Sequence, residues 1–196
     1  LVVQASLNIS TLKELIALAK AKPDFLTYAS SGIGTTSYLA AELMKVKTGT
    51  RMIHVPYKGS SQAVQALLAG EVAVTFSTMP PAVTNVKAGR LRALGVTSAQ
   101  RFTGAPEIPT IAEAALPGFD TLQWWGLVAP RSTPPELVNK IAGDAGRLVN
   151  SADMKERMLA LGAEPVASSP DRFAAFIRDE IDKWGKLVRS SGARAD

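Results

Sequence analysis

The sequence predicts an α/β domain with a mostly parallel sheet flanked by helices, followed by a tail of helices alone. In the first two thirds of the 196 residues, short apolar runs alternate with amphipathic stretches, which is the pattern of β–α units in a parallel sheet. From Thr133 onward, apolar residues recur only at helical spacing. With 46% hydrophobic and 20% charged residues, the chain has the composition of a folded globular protein.

In the α/β part, apolar runs predict the strands and 3.6-residue periodicity predicts the helices. Thr11 and Glu14 have the spacing of a capping box at the start of the first helix. The expected strands are 1–3, 26–29, 52–55, 72–76, 93–96 and 124–128, and the expected helices are 12–20, 35–46, 62–69, 80–87 and 110–115.

The tail predicts three helices. The first begins at Thr133-Pro134-Pro135-Glu136, with Thr133 as its cap, the second covers 152–161, and the third follows Pro170. No predicted strand in the tail covers their apolar faces, so these helices pack on the preceding domain or on a sheet outside this chain. The stripe of the third helix comprises Phe173, Phe176, Ile177, Ile181, Trp184, Leu187 and Val188.

Composition excludes several classes of site. The chain has no cysteine and one histidine, so we expect no thiol catalysis, no disulfide, no metal site and no cofactor. The net charge of +5 comes from 22 Lys and Arg that are spread along the chain, which argues against nucleic-acid binding. No run of about 18 apolar residues occurs, so we expect no stable membrane insertion.

Catalytic residues are scarce. His54 lies in a predicted buried strand with no acidic neighbour, and no two carboxylates are spaced to flank a substrate. We therefore expect no catalytic residues. An α/β enzyme acting on a carboxylate stays open as an alternative, with His54, Lys58 and Glu71 as the residues to test.

Hydroxyl-rich turns follow three predicted strands. The first is Tyr28-Ala29-Ser30-Ser31-Gly32-Ile33-Gly34-Thr35, where a strand passes through a Ser/Gly turn into a helix. The second runs from Tyr57 to Ser61 and contains Gly59 and Ser60, and the third begins at Ser77. In a parallel sheet, such turns lie at one edge and present the positive ends of helices, which suits a small anion.

Six segments together resemble the tripartite tricarboxylate transporter receptor family, also called the Bordetella uptake gene receptors. The resemblance extends over essentially the whole chain. It is carried by YASSGIGTTSYLAAELM from Tyr28, VPYKGSSQAVQALLAGEVAVTF from Val55, VKAGRLRALGVTSAQR from Val86, PEIPTIAEAALPGF from Pro106, WWGLVAP from Trp124 and LGAEPVASSPDRFAAFI from Leu161.

The resemblance implies a type II periplasmic-binding-protein fold of two lobes, of which this chain lacks the N-terminal part. By analogy, residues 1–3 are one hinge strand, residues 4–125 are a complete ligand-binding lobe, and 126–132 are the second hinge strand and a linker. Residues 133–196 are then helices of the other, incomplete lobe. Without that lobe's sheet, the truncated chain is expected to self-associate or to repack its tail.

The resemblance also implies a receptor that binds a small organic carboxylate and delivers it to a membrane permease of the tripartite tricarboxylate system. The receptor would be periplasmic and exported by a signal sequence that this chain does not contain. The ligand-binding residues carried over by motif, with Ser77 from the third turn, are Ser30, Ser31, Gly32, Gly34, Thr35, Tyr57, Gly59, Ser60, Ser61 and Ser77.

Two positions depart from the family pattern. Tyr38 stands where histidine is frequent, and Ser77 stands where an acidic or amide residue is common. An acid at the latter position pairs with a ligand ammonium, so Ser77 favours a carboxylate without an amine. The effector-binding lobe of a transcription regulator, which shares this two-lobed fold, stays open as a second alternative.

Overall fold

The computed structural model describes residues 1–191 of the chain, and these form two compact units. The first comprises Leu1–Gln123 together with the end of the last helix from Leu187, and the second comprises Trp124–Lys186. The final five residues of the expected helical segment 133–196 lie outside the described residues.

The first unit contains a five-stranded sheet in the order β3-β2-β4-β1-β5. β2 pairs in parallel with β3 and β4, whereas β1 is antiparallel to both of its neighbours. Only β1 is therefore reversed, and the prediction of a mostly parallel α/β sheet is confirmed. The strands are β1 (Val2–Gln4), β2 (Thr27–Ser30), β3 (Ile53–Pro56), β4 (Val74–Thr75) and β5 (Leu91–Ala93).

Helices connect these strands and flank the sheet. The predicted capping box of Thr11 and Glu14 is present at the start of the first helix, and Thr110 and Glu113 form a second one. Both boxes supply side-chain partners to backbone N–H groups that a helix start leaves without one. The helices are α1 (Leu12–Ala21), α2 (Thr36–Thr48), α3 (Ser60–Ala69), α4 (Met79–Lys87) and α5 (Ile111–Ala114), with a 3₁₀ turn at Ala5–Leu7.

The core of this unit lies between the sheet and α3. Val2 and Ala29 from the sheet pack with Val64 and Leu67 of α3, all almost fully buried. The buried Val and Leu side chains each contribute roughly 1.5–3 kcal/mol to the free energy of unfolding. This packing holds α3 against the sheet.

Two strand predictions in this unit need correction. His54 was expected in a buried strand, but β3 is an edge strand, so His54 is half-buried and Ile53 is 48% exposed. The strand expected at 93–96 forms earlier, at Leu91–Ala93, and Val96 makes only an isolated bridge to Thr110. Apolar runs locate a strand without showing how many of its residues find a partner.

The second unit is helical and has no strand among its described residues. The strand predicted at 124–128 is wrong, because a strand needs a hydrogen-bonded neighbour and this segment has none within residues 1–191. Leu127 and Val128 are 74% and 84% exposed. The helices are α6 (Pro135–Val149), α7 (Ala152–Ala160) and α8 (Pro170–Ser191), whose last residues belong to the first unit.

The start of α6 also differs from the prediction. Pro134 occupies the cap position, and within the described residues no side chain caps this helix, so Thr133 is not the cap. Proline is tolerated here because the first N–H groups of a helix have no partner inside the helix.

An aromatic cluster organises the second unit. The Trp124 ring meets Phe173 and Phe176 edge-to-face, at centroid distances of 5.6 and 5.4 Å. The indole N–H groups of Trp124 and Trp184 both donate to Oε2 of the buried Glu180, at 3.3 and 2.8 Å. Part of the predicted α8 stripe is therefore covered inside this unit.

Other apolar side chains of the second unit are exposed. Leu137, Ile141 and Leu148 on α6 are 46%, 45% and 58% exposed, and Ile181 on α8 is 64% exposed. None of the described helices is both long enough and apolar enough to cross a membrane.

Candidate functional site

The carboxyl ends of β2, β3 and β4 lie next to one another. Ser30 at the end of β2 pairs with Pro56 of β3, and Ala29 pairs with Thr75 of β4. Each strand then enters a turn that leads into α2, α3 or α4. The structure therefore brings the three hydroxyl-rich turns together, and we call residues 30–37, 57–61 and 77–79 the three-turn edge.

The first turn is closed by its own hydroxyl groups. The Gly32 N–H donates to Ser30 Oγ at 3.1 Å, and Thr35 Oγ1 donates to the Gly32 carbonyl at 2.7 Å. The Ser31 N–H donates to Ser37 Oγ at 2.9 Å. These bonds fold the chain tightly between β2 and α2 and give the turn one defined shape.

Glycine is required in these turns by backbone conformation. Gly32 has φ +119° in the first turn and Gly59 has φ +124° in the second, a region that side-chain-bearing residues avoid. A Cβ atom on Gly32 would lie 3.9 Å from the Tyr57 carbonyl oxygen, and one on Gly59 would meet no atom within 4 Å. Backbone conformation rather than space therefore selects glycine.

Ser30 is buried beneath the first turn. Its side chain has no exposed surface, and its Oγ lies 2.6 Å from His54 Nε2. We predicted that Ser30 contacts the ligand; its hydroxyl is already engaged with His54 and Gly32, so in this structure it supports the turn.

Tyr57 belongs to the second turn through its backbone. Its N–H donates to the Ser30 carbonyl at 2.9 Å, but its side chain packs against the core cluster between the sheet and α3. The hydroxyl donates to Glu71 Oε2 at 3.2 Å, beyond the carboxyl end of α3. The Tyr57 side chain therefore points away from the edge, and only its main chain remains available there.

The second and third turns share a cluster of hydroxyls. Ser60 Oγ and Ser77 Oγ lie 3.0 Å apart, and the Thr78 N–H donates to Ser60 Oγ at 3.2 Å. Ser77 Oγ donates to the Thr78 carbonyl at 2.9 Å. Ser61 is exposed beside this cluster. The sequence predicted that the second and third turns lie on one edge, and the structure adds that the side chains of Ser60 and Ser77 are in contact.

The three helices at this edge lack side-chain caps. Within the described residues, no side chain makes a capping hydrogen bond at the starts of α2, α3 and α4, whereas α1, α5 and α7 are capped by Thr11, Thr110 and Ser151. The uncapped starts of α2 and α3 present N–H groups and a partial positive charge, whereas Pro80 and Pro81 in the first turn of α4 have no N–H. The edge can thus receive an anion without a charged side chain; Lys58 is exposed, and its N–H donates to Gln62 Oε1.

A second polar cluster, which the sequence analysis did not find, lies under the first turn. The His54 ring stacks on Tyr28 and meets Tyr38, both at a centroid distance of 4.9 Å. The Tyr28 hydroxyl donates to Glu42 Oε1 at 2.6 Å, and Lys45 Nζ donates to the same oxygen at 2.7 Å. The sequence feature that could have indicated this cluster is the i, i+4 spacing of Tyr38 and Glu42, which places both side chains on one face of α2.

Burial shifts the pKa values of this cluster. Removal of water from the imidazole lowers the pKa of His54, while Glu42 opposes this shift and Lys45 adds to it. Burial, with the hydrogen bond to Glu42, raises the pKa of Tyr28. His54 and Tyr28 are therefore neutral near pH 7.

The described residues contain no group of three or more His, Cys, Asp or Glu that could hold a metal ion. An α/β unit with uncapped helix starts and uncharged hydroxyls at one sheet edge has the features of a solute-binding domain. The sequence matches the family described as "Tripartite tricarboxylate transporter family receptor" over residues 1–193, and the chain belongs to this family. The family consists of solute-binding receptors rather than enzymes, so membership argues against both the enzyme and the regulator alternatives.

Two curated relatives are similar over almost the whole chain. A protein from the tcbD–tcbE intergenic region of a Pseudomonas species is 38% identical over 96% of this chain. BugT of Bordetella pertussis is 36% identical over 99% of it. The alignments cover 56% and 60% of those two relatives, so the chain spans less than two thirds of their length.

Solved structures agree in fold. The R. palustris protein Rpa4515, solved with adipate, has a TM-score of 0.88 and 34% identity over 98% of this chain and 64% of its own. MatC from Rhodopseudomonas palustris, solved with bound malate, has a TM-score of 0.83 and 29% identity over 95% and 65%. The periplasmic binding protein BugD has a TM-score of 0.85 and 26% identity over 100% and 66%.

Proposed function

We propose that this chain carries the ligand-binding unit of a periplasmic receptor that binds a small organic carboxylate and delivers it to a membrane permease of the tripartite tricarboxylate system. Family membership supports the receptor role. Two similar structures were solved with the dicarboxylates adipate and malate, which supports the ligand class.

The observation that carries this proposal is the pair of uncapped helix starts, those of α2 and α3, at the three-turn edge. A carboxylate that leaves water loses several kcal/mol of hydration unless hydrogen bonds replace it. N–H groups at helix starts supply such bonds, and the helix dipoles favour negative charge at that end. No paired cation is then required.

We assign different roles to the predicted residues at this edge. Ser60 and the exposed Ser61 are the side-chain donors to the ligand. The hydroxyls of Thr35 and Ser77 donate to the carbonyls of Gly32 and Thr78 and hold the turns in shape. Gly32, Gly34 and Gly59 let the backbone approach it, whereas Ser31 and Tyr57 contribute main-chain groups. Ser30 does not contact the ligand and supports the first turn from beneath.

For the domain arrangement, we propose that residues 4–125 form one whole lobe, entered by the strand at 1–3. Residues 126–132 then lead to helices, from 133 onward, that belong to the other lobe. The chain's share of its relatives, below two thirds of their length, supports this proposal. The exposed apolar residues of the second unit, such as Leu127 and Ile141, also support it.

Titration of the chain with carboxylates tests the function. We expect adipate, malate or citrate to bind with a dissociation constant of about 1 mM or lower and to shift the amide NMR signals of Gly32, Gly34 and Gly59. Glucose serves as the uncharged control and should shift none of them. Binding of glucose without binding of any carboxylate would overturn the proposal.

A matched pair of variants on α3 locates the site. Ser60→Ala removes a hydroxyl at the edge, and Gln65→Ala changes an exposed residue further along the same helix. Because one hydrogen bond to a charged ligand is lost, we expect about tenfold weaker carboxylate binding for Ser60→Ala. Gln65→Ala should bind as the wild type does, and equal affinity in all three proteins would place the site elsewhere.

A further inference from the structure

His54 sits where it can control the shape of the first turn. Its ring is held between Tyr28 of β2 and Tyr38 of α2, and both tyrosines are buried. Its Nε2 lies 2.6 Å from Ser30 Oγ. That oxygen in turn accepts the Gly32 N–H at 3.1 Å. A chain of two hydrogen bonds therefore connects an edge strand to the turn.

The contact with His54 is the shorter of two that the Ser30 hydroxyl makes with acceptor-capable groups. Ser30 Oγ lies 2.6 Å from His54 Nε2 and 3.2 Å from the Gly32 carbonyl, which also accepts from Thr35 Oγ1 at 2.7 Å. A neutral imidazole pairs with a hydroxyl as acceptor in one tautomer and as donor in the other. In both tautomers Ser30 Oγ keeps a lone pair for the Gly32 N–H, so His54 fixes this hydroxyl next to Gly32.

We propose that His54 is a positioning residue of the three-turn edge: by its hydrogen bond to the Ser30 hydroxyl, it orients Ser30 to hold the Gly32 N–H and keeps the first turn in the shape that receives the carboxylate. This inference rests on the proposed function. His54 does not touch the ligand and acts only through Ser30. Without a partner at Nε2, the Ser30 hydroxyl rotates away from the position in which it accepts the Gly32 N–H.

The surroundings of His54 favour this role over that of a general base. Its charged neighbours are Glu42 and Lys45, which are paired with each other at 2.7 Å. Within the described residues, neither of these two side chains makes a hydrogen bond to the imidazole ring of His54. Ser30, the nearest hydroxyl, has no exposed surface, so it cannot reach a substrate. The pair therefore supports structure rather than nucleophilic chemistry.

Three variants separate the hydrogen bond from the packing of the ring. His54→Phe keeps an aromatic ring between the tyrosines and removes the hydrogen-bond partner of Ser30. His54→Gln supplies a side-chain amide as a replacement partner. Ser30→Ala removes the other partner. Amide hydrogen exchange of Gly32 in the ligand-free chain measures the turn, and titration with adipate and malate measures binding.

We expect His54→Phe and Ser30→Ala each to accelerate Gly32 exchange and to weaken carboxylate binding by about fivefold. The double variant should be no weaker than either single variant, because both break the same connection. His54→Gln should restore most of the affinity and the protection of Gly32.

Unchanged Gly32 exchange and unchanged affinity in His54→Phe would overturn the inference. An equal loss in His54→Gln and His54→Phe would also overturn it, since ring packing would then be the only role of His54. If the wild-type chain binds none of adipate, malate and citrate, the proposed function fails, while Gly32 exchange still decides whether His54 positions the turn.

Discussion

At the scale of single residues, the unexpected feature is the polar cluster beneath the first turn. Tyr28 has no exposed surface, and Glu42 is 6% exposed, yet their hydrogen bond of 2.6 Å satisfies both. A buried hydroxyl or carboxylate without a partner would cost about 1–3 kcal/mol or more. Pairing thus allows polar groups in the interior beside His54.

The lowered pKa of His54 predicts a pH dependence of stability. The unfolded chain has an ordinary histidine pKa of about 6.5, and burial lowers the folded value. Between these two pKa values, the unfolded state binds more protons than the folded state. The contribution of His54 is therefore complete above about pH 6.5 and declines as the pH falls toward the folded pKa.

Melting temperatures of the wild type and of His54→Gln test this sign. From about pH 7 to about pH 5.5, we expect the wild type to lose more thermal stability than the variant. Carboxylates that titrate in the same range are common to both proteins and cancel in the difference. Parallel melting curves over this range would contradict the assignment.

At the scale of elements, the starts of α2, α3 and α4 at the edge have no side-chain cap, a property that they share with α6 but not with α1, α5 and α7. α1 and α5 begin with a capping box, and α7 begins with a serine cap. The cap position of α3 is instead Gly59, in a conformation that only glycine adopts readily. α3 therefore lacks a stabilising side-chain cap, and its first N–H groups remain available for another partner.

Two glycines test how much this conformation matters. A Cβ atom on Gly59 or on Gly49 would meet no atom within 4 Å, so alanine at either position probes backbone strain alone. Gly49 has φ +63° and ψ +28°, which alanine adopts at a cost of about 1 kcal/mol. Gly59 has φ +124° and ψ +162°, a region that costs about 2–3 kcal/mol.

Urea denaturation of both variants measures these costs. We expect Gly59→Ala to lose more free energy of unfolding than Gly49→Ala, and to lose carboxylate binding as well. Gly49→Ala, at the far end of α2, should retain binding. A reversed order of stabilities would show that the second turn relaxes when a side chain is added.

At the scale of the whole molecule, the two units differ in how well they bury apolar side chains. In the first unit, Leu12, Leu15, Leu67 and Phe119 are almost fully buried. In the second unit, Leu137, Ile141 and Leu148 are all at least 45% exposed along α6. Apolar side chains that repeat along one helix at this exposure mark a surface that lacks a partner.

Size-exclusion chromatography tests this imbalance. We expect the chain to self-associate at micromolar concentration, and the double variant Leu137→Lys/Ile141→Lys to shift toward the monomer because charge opposes apolar contact. Lys140→Ala, on an exposed position of the same helix, is the control and should elute with the wild type. A wild type that elutes as a compact monomer would contradict the prediction.

Much of the fold was predictable because local signals agree with it. The alternation of apolar runs and amphipathic stretches predicted the α/β sheet, and Thr11 with Glu14 predicted the start of α1. The segment 124–128 was predicted wrongly because its apolar residues resemble a strand, and local sequence does not reveal whether a pairing partner is present. His54 was placed on a buried strand because sequence does not show that β3 lies at the edge of the sheet.

The sequence by itself determined the class of the unit and the three hydroxyl-rich turns, since turn composition and the alternation of apolar and amphipathic stretches are local properties. Their common edge followed only from the expected parallel pairing, which the structure shows for β2, β3 and β4. Only the tertiary structure decided which side chains face that edge. It turned Tyr57 toward Glu71 and buried Ser30 against His54, because contacts between residues distant in sequence depend on how the strands and helices pack. The sequence thus predicted the backbone turns at the edge, but not the contact between Ser30 and His54 that lies beneath them.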